Sequence, residues 1–305
     1  MKSSVSNQVN NFKKKGIIEF NNIFQKEKCI NLYNQLTKDR EWGPSLFRSQ
    51  KDVILNPQYK KTNPGKGINN LAEKFNLDFI EKNEIIINTL NFILGIDFEI
   101  ILKKFVVAAP SHWIPNWLKG KIASSLAANL GPYIKEEFRD VTYFRGIDYH
   151  MDQIDFPNSN PDFITMYVYL NDTTPEMSPL HVIEKSHIYG PTKFPHFINE
   201  VNEDYVIYGL DKNNSKKLKK KMLMGNAGTA YIWSCLTLHG TQPQVDKDIF
   251  RISLRYLIKK NKKNKKKFLI DKLLPTDKKV LKTRDDLNLK THEQKKHMNR
   301  KRKNL

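Results

Sequence analysis

Between Tyr149 and Phe156 the chain reads YHMDQIDF, with a histidine and an aspartate two residues apart in a segment of strand character. Side chains at i and i+2 of a strand leave the same face, so His150 and Asp152 can address one point while Met151 turns away. A third donor of matching chemistry is His239, in the run TLHGTQPQ between two strand-like segments. Two imidazoles and one carboxylate bind one face of a divalent iron and leave the other open to exogenous ligands, the donor set of non-haem Fe(II) oxygenases. His150, Asp152 and His239 are therefore the candidate metal ligands and the candidate catalytic centre.

Eleven residues beyond His239 begins FRISLRYLIKK, the last strand-like segment. Its alternation puts Ile252, Leu254, Tyr256 and Ile258 on one face and Arg251, Ser253 and Arg255 on the other. One face is apolar, and the other can grip an anion. A guanidinium is always charged and presents a planar fork that matches a carboxylate. Arg251 or Arg255 is thus a candidate for holding an acidic cosubstrate beside the metal.

The elements that must position these residues follow from the pattern of apolar and turn residues. GIIEF, after a polar lead, is a short strand, and Cys29, Leu32, Tyr33 and Leu36 form the stripe of a helix. Residues 41–67, rich in Pro, Gly and Asn, are expected as a long loop. Residues 69–94 are expected to be helical, with Ile86, Leu90 and Ile93 on one face and Gly95 as the stop. Phe98 to Ala109 has strand character, and SSLAANLG, before Gly131, is briefly helix-like. From Val141 onward short strands alternate with turns at 157–162 and NDTTPEMSP, and FITMYVYL is apolar on both faces, as a buried strand should be. LHVI, GTAYIW and FRISLRYLIKK continue the series, with EKSHIYGPTKFPHF and TLHGTQPQVDKD as loops and 199–221 as a polar surface insertion. A helical block of about 20–95 before a β-rich core of about 98–260 predicts a mainly β fold with flanking helices, a sandwich or barrel in one domain covering 1–260.

Bulk properties bound the rest. The chain has 305 residues and a formal charge of +20. Residues 259–305 hold 19 Lys and Arg against 5 Asp and Glu, so most of the excess sits in this C-terminal segment and the remainder is only mildly basic. Residues 261–305 are expected to be a flexible basic tail, attracted weakly and in a salt-dependent way to nucleic acid or anionic surfaces. With two cysteines, no long apolar run and no secretory pattern at the N-terminus, a cytoplasmic protein with no disulfide framework is expected.

The ordered set His150-x-Asp152, His239 and Arg251 resembles the phytanoyl-CoA dioxygenase family of Fe(II)/2-oxoglutarate-dependent oxygenases. NPDFITMYVYLND, SPLHVIEKSH and GNAGTAYIWSCLTLHG are similar, in the same order, to that family's intermediate segments, so the resemblance spans roughly Tyr143 to Tyr256. Departures at Glu184-Lys185, Asn226 and Gln242 to Gln244 remove no ligand. The resemblance implies a double-stranded β-helix (jelly roll, cupin-like) core, with Fe(II) on His150, Asp152 and His239 and 2-oxoglutarate anchored by Arg251 with the aid of Thr241 or Ser253. It also implies reaction with O2 that yields succinate and CO2. Asp152, where halogenating relatives carry a small residue, implies hydroxylation of a substrate C–H bond. The substrate is a small molecule or acyl group that the sequence leaves unidentified. A non-catalytic jelly-roll binding protein with a polyanion-binding tail is the alternative, and a related metal enzyme independent of 2-oxoglutarate is a third.

Overall fold

The structure is a computed structural model that describes residues 2–38, 40–56, 69–123, 127–156, 160–194, 196–242 and 248–273. Its strands are β1 (Ile17–Phe20), β2 (Glu99–Ala108), β3 (Ala127–Asn129), β4 (Thr142–His150), β5 (Phe163–Tyr169), β6 (Leu180–Ile183), β7 (Phe197–Glu200), β8 (Tyr205–Gly209), β9 (Ser215–Leu223), β10 (Ala230–Ser234), β11 (His239–Thr241) and β12 (Ile252–Lys259). Hydrogen bonding orders them β1-β10-β5-β12-β2-β4-β11-β6-β9-β8-β7, with β3 on β4. Two four-stranded layers make the barrel. The antiparallel run β10-β5-β12-β2 is one, and β4-β11-β6-β9 is the other. A short parallel pairing of β2 with β4 closes one edge between them. This is a double-stranded β-helix, mainly β with helices outside.

Alternation explains which face does what. Ile252, Leu254, Tyr256 and Ile258 turn outward with Ile164, Met166, Val168, Phe105, Val107, Ala230 and Ile232, and helices cover them. Those helices include α2 (Lys26–Lys38), which contributes the expected Cys29, Leu32 and Leu36, and α5 (Glu84–Leu94), which contributes Ile86, Leu90 and Ile93. Asn83 starts α5 by accepting from the amides of Ile85 and Ile86, and Gly95 stops it with φ 101°. The inward faces meet in a second cluster drawn from both layers: Val106, Tyr167, Tyr169, Leu180, Val182, Leu223, Tyr231 and Trp233.

Several expectations are corrected. The polar lead is a helix, α1 (Lys2–Lys15), anchored by fully buried Phe12. The long loop contains α3 (Gln50–Leu55), started by the Ser49 hydroxyl accepting from the amide of Asp52, while 57–68 lie outside the described residues. Residues 69–94 break into a 3-10 turn, the one-turn α4 (Asp78–Glu81) and α5. Helix forms at α6 (Asn116–Ala123), before the SSLAANLG stretch, and Ala127–Asn129 is drawn into β3 by pairing with β4. The polar segment 199–221, expected as a surface insertion, is part of the sheet: β8 and β9 pair antiparallel and extend the β6 layer. Lys216, Lys217 and Lys219 are exposed, Lys220 and Lys221 are half-buried, and Leu218 and Leu223 are buried. His239 lies in β11, not in a loop. Residues 157–159 and 243–247, within two expected turns, lie outside the described residues.

The start of the basic segment folds back on the body. Ile270 in α7 (Leu269–Lys272) is fully buried in the helical layer, and Lys260 pairs with Asp271 at 2.7 Å. Residues 274–305 lie outside the described residues. No helix among the described residues is long and apolar enough to cross a membrane.

Candidate metal centre

His150 closes β4, Met151 stays extended (φ −113°, ψ 144°), and Asp152 opens a 3-10 turn at Asp152–Asp155. The i, i+2 geometry survives because the intervening residue is extended, although Asp152 itself has left the strand. His239 is the direct cross-strand partner of His150 in the β11–β4 pair, and cross-strand partners project to the same side. The close approach of these strands needs Gly240, whose Cβ would lie 2.9 Å from the Ile147 carbonyl oxygen and 3.1 Å from the Tyr149 amide. One ligating atom from each of His150, Asp152 and His239 lies within 4.8 Å of the others, and all three residues are buried.

The surroundings prepare each donor. The Nδ1 atoms of His150 and His239 lie 2.9 and 3.0 Å from the carbonyl oxygens of Asp148 and Thr237. A carbonyl only accepts, so each Nδ1 carries the proton and each Nε2 presents its lone pair. Nε2 of His239 is 3.6 Å from Oδ1 of Asp152. Oδ2 of Asp152 accepts from the Thr165 hydroxyl at 2.5 Å and from Trp233 Nε1 at 3.3 Å. Arg255 donates to Oδ1. Burial opposes ionisation of Asp152, but Arg255 and the two imidazoles outweigh it and hold the carboxyl well below its usual range. Burial, followed by the neighbouring His239, holds His150 well below the ordinary imidazole value. Two imidazoles with Nε2 turned away from their backbone partners and an ionised carboxylate fit a borderline divalent cation such as Fe(II).

The remaining expected site residues take distinct places. Arg251 is 2% exposed, and its Nη1 donates to the Ser253 hydroxyl at 2.6 Å. Among the described residues it has no carboxylate partner. Arg255, the rival, is committed to Asp152 instead. Thr241 accepts from the Ile147 amide at 3.1 Å, and among the described residues no hydrogen bond joins it to the Arg251–Ser253 pair. Stacked Tyr167 and Trp233, with ring centroids 5.2 Å apart, pack in the barrel interior beside the centre, and Trp233 lies 5.0 Å from His239. Trp42 and Trp113 pack with Phe250 in the outer helical layer, away from the centre.

Sequence reasoning missed Lys104 and His196. Lys104 stands opposite Arg255 in the β2–β12 register and is 2% exposed. Burial, with the charge of Arg255, lowers its ammonium to about 7. Its signal was a lysine within the apolar run of β2. His196 is buried, with Nδ1 2.8 Å from the Thr192 hydroxyl, and burial lowers it to about 3. Nothing in its sequence context marked it.

His196 leads to a pH prediction. Its folded value is below its unfolded one, so its contribution is present above about pH 6.5 and is lost as pH falls and the unfolded chain takes up the proton first. Between pH 6.5 and 5 the chelator-treated protein should lose about 2 kcal/mol through this one group. Urea denaturation across that range measures the loss, and His196→Phe should flatten it.

No family model matches this sequence, and no curated protein sequence matches it. Among solved structures the chain is similar to the non-heme alpha ketoglutarate dependent epimerase SnoN from nogalamycin biosynthesis, at 11% identity and a TM-score of 0.47, covering 85% of this chain and 83% of that one. A second structure of SnoN, in complex with Fe3+, alpha ketoglutarate and nogalamycin RO, aligns at 10% identity and a TM-score of 0.48 over 85% and 84% of the two chains. EvdO2 from Micromonospora carbonacea var. aurantiaca, complexed with 2-oxoglutarate, aligns at 12% identity and a TM-score of 0.44 over 84% and 90%.

Proposed function

We propose that this chain is an Fe(II)- and 2-oxoglutarate-dependent oxygenase that hydroxylates a C–H bond of a small-molecule substrate. The observation that carries the reading is the convergence of His150, Asp152 and His239 inside a barrel where Arg251, just before β12, is buried and has no carboxylate partner among the described residues. Nε2 of each histidine and a carboxylate oxygen of Asp152 would hold the iron. When bound, iron and 2-oxoglutarate supply activation of O2, with decarboxylation of the keto acid to succinate and CO2.

The chain's own residues do the positioning. Arg251 offers its fork to the far carboxylate of 2-oxoglutarate. Because Ser253 accepts from Arg251, its own hydroxyl proton is free to donate to the same anion. Thr241 likewise accepts from the Ile147 amide and keeps its proton to give. Thr165, Trp233 and Arg255 fix and ionise Asp152. Tyr167, Tyr169, Tyr231 and Trp233 line the chamber and exclude water.

Anaerobic titration of the apoprotein with Fe(II) and then 2-oxoglutarate tests the reading through the visible absorption band of an iron-chelated keto acid. Arg251→Ala should raise the 2-oxoglutarate dissociation constant by about 30-fold or more, because it strips a buried partner from a carboxylate. A folded, iron-loaded wild type with no band would overturn the proposal. A band indifferent to Arg251→Ala would reassign the anchor.

A further inference from the structure

Lys104 is the feature of the chamber that the oxygenase reading leaves unused. Its strand is paired with β12 so that Lys104 lies directly across from Arg255, and direct cross-strand partners share a face. Arg255 reaches Asp152 from that face, so Lys104 also faces the chamber. It is 2% exposed, yet among the described residues no carboxylate lies within ion-pairing distance of its ammonium. The charges that act on it are Arg255, which repels it, and Asp155 and Asp152, which attract it. Asp152 is already engaged by Arg255, and Asp155 is exposed at the end of its turn. The chamber therefore carries Lys104, Arg251 and Arg255 around one buried, already paired aspartate. A buried ammonium with no counter-ion costs stability, and residues retained at such a cost concentrate at functional sites.

Lys104 and Arg251, neither with a carboxylate partner among the described residues, are separated. Arg251 and Arg255, the cross-strand mate of Lys104, are four residues apart along the extended segment that enters β12, which places their Cα atoms about 13 Å apart. A small diacid anchored at Arg251 leaves Lys104 with an anion of its own to bind. We propose that Lys104 binds a carboxylate or phosphate group of the primary substrate, so that the reaction chamber selects an anionic small molecule. The inference rests on the oxygenase reading for the word substrate, but the anion site itself does not.

The test uses the full chain loaded with redox-inactive Zn(II) and the 2-oxoglutarate analogue N-oxalylglycine, with fluorine-detected NMR of 4-fluorobenzoate, 4-fluorophenyl phosphate and the neutral 4-fluorobenzamide. At least one anion should bind about tenfold or more tightly than the amide, as a charge-assisted contact in a dry site requires. The tighter of the two anions identifies the group. Lys104→Met should erase the preference and Lys104→Arg should keep it. N-oxalylglycine affinity in Lys104→Met should stay within about twofold of wild type, a free-energy change under half a kcal/mol, and its Tm should equal or exceed that of wild type, because an unpaired buried charge has been removed.

Equal binding of anions and amide, no binding of any probe, or a preference that survives Lys104→Met overturns the proposal. So does loss of N-oxalylglycine binding in Lys104→Met, which would make Lys104 part of the cosubstrate site. If the wild type fails to take up N-oxalylglycine but shows a Lys104-dependent anion preference, the oxygenase reading falls and the anion site stands.

Discussion

Replacing His239 by alanine is expected to abolish iron binding at micromolar concentrations and, with it, the absorption band of the chelated keto acid. The reasoning is geometric. His239 and His150 are cross-strand partners with ring centroids 4.3 Å apart, and Nε2 of His239 faces Oδ1 of Asp152 at 3.6 Å. Removing His239 leaves one imidazole and a carboxylate already shared with Arg255. Loss of a group that merely supports a ligand typically costs 10–100-fold in metal affinity, so loss of a ligand should cost more than about 100-fold. Anaerobic Fe(II) titration reads the effect directly, with circular dichroism verifying the fold. Retention of near-wild-type affinity would show that the convergence of these three residues is not a metal centre.

The second large effect falls on stability. Asp152→Ala in the chelator-treated protein should destabilise the fold by about 3–5 kcal/mol, because it leaves the Arg255 guanidinium buried without its counter-ion. Arg255 has 14% side-chain exposure and Asp152 has 2%, so water cannot replace the lost partner fully. Arg255→Met made alongside should recover most of the loss, since removing both charges leaves no uncompensated ion. The double mutant should remain unable to bind iron, and this separates the ion pair's structural role from the proposed metal role of Asp152. Urea denaturation of the two single variants and the double variant measures the coupling. Additive effects would mean that Arg255 and Asp152 do not act as a pair. The pH dependence follows the same logic. The folded carboxyl titrates below its unfolded value of 3.8, so its stabilising contribution is present above about pH 4 and is lost as pH falls through the folded value.

Local pattern carried a good part of this architecture. The i, i+2 relation of His150 and Asp152 requires only that Met151 be extended, and it is. The two faces of β12 follow from alternation alone: Ile252, Leu254, Tyr256 and Ile258 pack under the helices, while Arg251, Ser253 and Arg255 turn toward the chamber. The stripe Cys29, Leu32 and Leu36 and the Asn83 and Gly95 boundaries of α5 were legible for the same reason, because helix periodicity and capping are properties of neighbouring residues. Where the signal failed, the deciding contact was distant. Ala127–Asn129 becomes a strand because β4 offers it an edge. The lysine-rich β9 pairs with β6 and β8 although its own composition reads as solvated.

By itself, then, the sequence determined the donor types of the candidate centre, the cofaciality of His150 and Asp152, and which side of the last strand carries the arginines. Only the tertiary structure decided that His239 stands directly across from His150, that Arg255 belongs to Asp152 while Arg251 meets no carboxylate among the described residues, and that Lys104 lies opposite Arg255. Alternation within a strand is local and can be read from composition. Register between strands far apart in sequence is set by which faces the whole chain can bury together, and no short stretch of residues contains that information.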